Sequence, residues 1–201
     1  MRDNCYVLSG TLLFRETHNR GIVVEATADS KTYLDMICYP VEKYLIGYTV
    51  RDKERLISAI ISNALLNEPV GFEQLRKIHV DKSLETIGDC ILDFVIIDNF
   101  ATKKRCTAQD IDDFRRWYGN NENLQYFAKT CIHLQTYILW GPDERKQQKW
   151  EQPTTVILAD RFEMLIAVIY LEKGIGAVKE FLQKHHFFEE LDVIGRSKAG
   201  R

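Results

Sequence analysis

Apolar residues recur at three- and four-residue spacing along most of the chain from Val41 onward. The pattern predicts helices over residues 51–66, 83–101, 108–117, 121–138, 155–173 and 176–185. Gly174 stands where a helix-ending residue is expected, and Pro153-Thr154-Thr155 supplies a stop followed by capping hydroxyls. The polar run from Asp143 to Lys149 reads as an exposed loop, and the chain after Leu191 as a short polar tail containing glycine. Before Val41 the texture differs. Residues 6–14 and 21–26 are rich in Val, Leu, Ile and Thr, His18-Asn19-Arg20-Gly21 is a candidate hairpin connection, and residues 33–39 offer a third strand. An isolated hairpin is marginal in water, so this segment is expected to pack on the helical part or on a partner subunit. The fold class that follows is mainly α: a helical bundle over residues 41–187, with a small N-terminal β segment over 1–40 and a tail over 188–201.

Two of the expected helices carry acids inside apolar sequence. Around Leu84, Ile87, Ile91, Leu92, Phe94 and Val95, Glu85 and Asp89 stand one turn apart on one face, and Asp93 continues the stripe as a supporting or surface acid. Gly88 between them costs about 1 kcal/mol against alanine in a helix interior, which points to a close approach by another backbone. The expected visitor is the helix around Leu158 to Leu171, where Asp160 and Glu163 share a face at i and i+3. Packing the two helices by their small residues would bring four carboxylates together.

With 201 residues and 45% hydrophobic content, the chain can bury a sizeable core. No apolar run approaches the roughly 20 residues of a membrane span, and no basic segment followed by an apolar signal core opens the chain, so an intracellular site (cytosolic, nuclear or organellar) away from membranes is expected. The five cysteines are scattered, without C-x-x-C pairing, and read as reduced structural thiols. His185-His186 reads as a helix end, His79 and His133 as ordinary histidines, and Trp117, Tyr118 and Trp140 as core aromatics. No glycine-rich phosphate loop and no serine or cysteine nucleophile motif is visible.

The two acid-bearing segments resemble the signature segments of the ribonuclease III catalytic domain. Lys82-Ser83-Leu84-Glu85-Thr86-Ile87-Gly88-Asp89 is similar to E-x-L-E-F-L-G-D, and residues 158–174 are similar to L-A-D-x-F-E-A-L-I-G-A-I-Y-L-D-x-G. Val41-Glu42-Lys43-Tyr44-Leu45-Ile46-Gly47-Tyr48, residues 55–68 and Asn121-Glu122-Asn123-Leu124 resemble further landmarks in the same order, so the likeness spans about residues 41–186. It implies that Glu85, Asp89, Asp160 and Glu163 are catalytic metal ligands holding magnesium, with manganese as a substitute. It further implies an endoribonuclease that cuts double-stranded RNA to 5′-phosphate and 3′-hydroxyl ends as a homodimer. Magnesium prefers hard oxygen donors, which such a cluster offers.

The alternative is a catalytically degenerate domain serving as an RNA-binding or structural subunit. Retention of all four acids separates the two readings, because a scaffold gains nothing from carboxylates that repel one another. A lone acid pair on a helix is usually solvated or paired with neighbours such as Lys82 or Arg161; two pairs in the family's frame reverse that expectation. The net charge of −2 lacks the basic excess common in nucleic-acid proteins and points to weak or metal-bridged RNA binding. Local basic clusters at Lys103-Lys104-Arg105, at Arg115-Arg116-Trp117 and at Arg145-Lys146 with Lys149 serve equally well as solvated helix ends.

The chain departs from the family pattern at Lys82, where relatives carry an acid, and at Thr86, where an aromatic ring inserts into the partner subunit. It departs again at Ile61 to Glu68, where many bacterial relatives read T-H-R-S-Y-A-N-E, and at Val156, where some eukaryotic relatives carry lysine. Loss of the ring at position 86 leads to the expectation that the N-terminal segment contributes to the dimer. From the short tail, the double-stranded-RNA-binding domain that many members carry is not expected within these 201 residues.

Overall fold

The computed structural model describes residues 30–67, 75, 77–103, 105–152 and 155–199. The strands expected over 6–14 and 21–26 lie outside the described residues. Among the described residues all regular elements are helical: α1 Ser30–Pro40, α2 Lys53–Ile60, α3 Asn63–Leu66, α4 Ser83–Ala101, α5 Ala108–Tyr118, α6 Asn121–Tyr126, α7 Pro142–Lys146, α8 Ile157–Lys184 and α9 Phe187–Ala199. None of these helices is long and apolar enough to cross a membrane. The chain divides into two compact units, Met1–Asp81 with Leu134–Pro153, and Lys82–His133 with Thr154–Arg201.

In the first unit, the third strand expected over 33–39 is instead helix α1. Tyr33, Ile37, Cys38, Val41 and Leu45 are all buried, a three- and four-residue recurrence that a run of β-prone residues conceals from a reading by composition. Past Pro40 the chain widens into a π-helical turn, Val41–Ile46, closed by Gly47 in the left-handed region at φ 97°. Glu42 in that turn is buried and accepts the Val50 N–H at 2.7 Å and a proton of the Lys53 ammonium. The helix expected over 51–66 is broken at Ile61-Ser62. There the Leu139 N–H donates to the Ile60 carbonyl at 2.7 Å and the Ser62 N–H to the Leu139 carbonyl at 3.0 Å, so a passing segment takes the bonds a continuous helix would use. Ser62 Oγ then starts α3 by accepting the Leu65 N–H. The exposed loop expected over 143–149 contains α7 and a 3₁₀ turn, Lys149–Glu151. Its Glu144 is buried, accepting the Gly141 N–H and the Lys149 ammonium, each at 3.2 Å.

In the second unit, α4 and α8 lie against each other, with α5, α6 and α9 around them. Thr107 and Asp110 form a capping box that starts α5. Phe127, Phe162 and Phe187 are fully buried, with ring centroids 4.9 Å apart for Phe127–Phe187 and 5.4 Å for Phe127–Phe162. The helix expected over 121–138 ends earlier: α6 runs into a π-helical turn, Phe127–Cys131, and His133 is left-handed at φ 51°. The helix ending expected at Gly174 is present: with φ 78° and ψ −177° that residue is not helical, and α8 consists of two helical stretches that meet in a kink there. The polar tail expected after residue 187 is helix α9, with Leu191 fully buried and Asp192 accepting the Tyr118 hydroxyl. Polar residues hid this helix because only one narrow stripe of it is covered.

Candidate metal site

The site lies in the second unit, where α4 meets α8. Gly88 makes the meeting possible: a Cβ built on it would stand 1.8 Å from the carbonyl oxygen of Glu163. The close approach expected at this glycine is therefore present, and the visiting backbone belongs to one of the acids themselves. The start of α8 is fixed from a third element. Gln125 on α6 offers one side-chain oxygen to the N–H groups of Leu158 at 2.8 Å and Ala159 at 3.2 Å, satisfying donors that a helix start leaves open. Of the capping hydroxyls expected there, Thr155 lies 3.5 Å from the Ile157 N–H. Asp160 occupies the first turn, where the positive end of the helix dipole favours a carboxylate.

Glu85 from α4 and Asp160 and Glu163 from α8 each place one carboxylate oxygen within 4.8 Å of the other two. Glu85 is exposed, Asp160 half-buried and Glu163 only 7% exposed. Asp89, the fourth expected acid, lies outside that trio but close enough for its charge to act on Glu163. Burial, followed by the charges of Asp89, Asp160 and Glu85, pushes the Glu163 carboxyl up to about 8. Burial and Glu85 raise Asp160, against an opposing influence from Arg161. Partial burial and Asp93 raise Asp89, with Arg115 acting the other way. All three shifts have the sign expected of carboxylates crowded together in a partly dry site.

Asp93 is engaged rather than solvated, accepting Nε of Arg115 at 2.9 Å and also Nη2. Sequence reasoning flagged Arg115 only as part of a basic cluster and did not flag Gln125 at all. A glutamine one helix away from the acids leaves no periodic trace, since its role comes from the packing of α6 beside the start of α8. The donor set is entirely carboxylate oxygen, with neither histidine nor cysteine, which suits a hard divalent cation that keeps part of its water and does not suit a structural zinc.

The sequence profile of the ribonuclease-III-like family matches residues 59–190. This chain belongs to that family. Ribonuclease 3 of Protochlamydia amoebophila is 30% identical over 155 residues, covering 74% of this chain and 58% of that protein. Ribonuclease 3 of Streptococcus sanguinis is 31% identical over 132 residues, covering 65% of this chain and 54% of that protein. The chain thus spans little more than half the length of these relatives. In three dimensions it is similar to the nuclease domain of ribonuclease III from Campylobacter jejuni, in a structure concerned with flexibility in a region involved in dimer formation. That match has a TM-score of 0.57 at 24% identity and covers 74% of this chain and 94% of the other. The likeness carries the fold: the helical architecture read from periodicity is that of a ribonuclease-III-like domain.

Proposed function

We propose that this chain is a divalent-metal-dependent endoribonuclease that hydrolyses phosphodiester bonds of double-stranded RNA to 5′-phosphate and 3′-hydroxyl ends. The observation that carries the reading is the convergence of Glu85, Asp160 and Glu163, with Asp89 beside Glu163, where Gly88 lets two helices touch. Membership of the ribonuclease-III-like family supports the same reaction. Bound magnesium, with manganese as a substitute, would neutralise phosphate oxygens and lower the pKa of a bound water. The chain's own part is to hold the ion. Glu85, Asp160 and Glu163 would supply oxygens, Asp89 would add charge from the α4 side, and the raised Glu163 carboxyl would have to be deprotonated to serve as a ligand.

The proposed assembly is a homodimer, because two strands of a duplex related by a pseudo-twofold axis require two clusters, and a twofold pair of chains provides them. The outward face of α4 supports this: Thr86 and Cys90 are exposed, Ile91 and Ile97 partly so, and Phe94 is 51% exposed. The test is a gel assay of long duplex RNA with magnesium against EDTA. Metal-dependent cleavage to short products is expected, and intact duplex in both lanes overturns the reading. Sedimentation of the full chain is expected to show a dimer, and a monomer refutes that assembly.

A further inference from the structure

A fixed positive charge beside an acidic cluster complements an anionic substrate, and among the described residues of the second unit Arg115 places such a charge on the Asp89 side of the cluster. Arg115, on α5, directs both Nε and Nη2 at a single oxygen of Asp93. Asp93 lies one helical turn beyond Asp89 on α4, and the charges of Arg115 and Asp89 act on each other. The Arg115 side chain stays 45% exposed while so engaged. Arg161, whose charge reaches Asp160, is by contrast buried at 6% exposure. A guanidinium has five donors in a rigid fork, of which Asp93 takes two. An ion pair this exposed contributes little to stability, but it does fix the plane of the guanidinium beside the carboxylates.

We propose that Arg115 is a phosphate-contact residue: held in place by Asp93, it offers its remaining N–H groups to a non-bridging oxygen of the RNA backbone on the Asp89 side of the cluster. The proposal rests on the nuclease reading above and adds a residue to it. It also absorbs one of the basic clusters, Arg115-Arg116-Trp117, that periodicity left as an ordinary helix surface. Arg116, its neighbour, is committed to Asp113 at 3.3 Å on the same helix.

The test is binding of a short blunt duplex RNA to the full chain with magnesium, in a Glu163→Gln background that prevents turnover, over a series of salt concentrations. Arg115→Ala is expected to weaken binding about tenfold and to reduce the slope of log affinity against log salt by about one phosphate contact. Arg115→Lys is expected to keep the slope while losing part of the affinity, because an ammonium replaces the charge and not the fork. Asp93→Asn is expected to behave like the lysine variant, since it frees the guanidinium without removing it. Unchanged affinity and slope in Arg115→Ala, with only a lowered melting temperature, overturns the proposal and leaves the pair as a brace. Intact duplex RNA after incubation of the unsubstituted chain with magnesium overturns the nuclease reading instead, so the two failures are distinguishable.

Discussion

The acids of α4 and those of α8 look alike in sequence, two pairs at helical spacing within apolar runs, yet they sit in different surroundings. Glu85 and Asp89 lie on the exposed side of α4, where water shares their charge. Asp160 and Glu163 lie on a stretch of α8 where every residue from Leu158 to Ile169 except Asp160 is buried. Glu163 in particular has its backbone pressed on Gly88 and its side chain among three other acids. The same spacing therefore yields an outer pair on α4, whose Asp89 is raised by partial burial and by Asp93, and an inner pair on α8, whose Glu163 carboxyl is pushed up to about 8. Cleavage should need both pairs, whereas metal-free stability should distinguish them.

The largest expected effect does not separate the pairs. If the proposed reaction is right, Asp89→Ala and Glu163→Gln should each lower kcat by about a thousandfold or more under saturating magnesium, because each would withdraw a carboxylate from the proposed metal site. Single-turnover cleavage of duplex RNA, with circular dichroism to confirm folding, checks this; near-normal cleavage by either variant would remove that acid from the site. Next comes the contact that joins the pairs. Gly88→Ala would drive a methyl group into the Glu163 carbonyl and should cost about 3 kcal/mol or more, read as a fall in melting temperature.

These first two effects bear on what the chain itself disclosed. Helix α4 was legible to the residue, as was the close approach at Gly88, because a long apolar helix with a glycine between acids leaves little else to build. The residues 33–39 were misread because Tyr33, Ile37 and Cys38 satisfy a strand by composition and a helix by spacing. Ser62 and Glu144 were illegible for another reason. The break after α2 and the burial of Glu144 depend on partners about eighty and five residues away, Leu139 and Lys149, and no local period records such pairings.

The third effect separates the pairs. The Glu163 carboxyl ionises near 4.3 in an unfolded chain and near 8 in the folded, metal-free protein, so the folded state holds the extra proton between those values. Its contribution to stability is fully present below the lower value and is lost as pH rises through the higher. The metal-free melting temperature should accordingly fall from pH 5 toward pH 8.5, and magnesium should raise it more at pH 8 than at pH 6. Glu163→Gln should flatten that profile and stabilise the metal-free protein at pH 8 by about 1–2 kcal/mol, whereas Glu85→Gln should do much less. Equal effects from the two substitutions would erase the contrast between the helices. The smallest expected change is at the cap: Gln125→Ala leaves the Leu158 N–H without that acceptor and the Ala159 N–H with the Val156 carbonyl, and should cost about 1 kcal/mol. Calorimetry can resolve that loss, together with a modest weakening of magnesium binding as the first turn of α8 frays.

The contact at Gly88 also bears on how such a site survives change over time. Where two helices are separated by side chains, each substitution in the core resets the gap, and anything mounted across the gap drifts with it. Here the gap is closed by main chain on main chain, Cα of one helix against carbonyl of the other, and neither atom varies with residue type except through the glycine itself. Leu92, Val95 or Ile166 can therefore be exchanged for other apolar residues while the jaws that carry the carboxylates keep their setting. A sequence that shares 30% identity with its Protochlamydia relative has had ample opportunity for such exchanges. One hydrogen atom in place of a methyl group acts as the stop of a caliper, and it gives the rest of the core licence to wander.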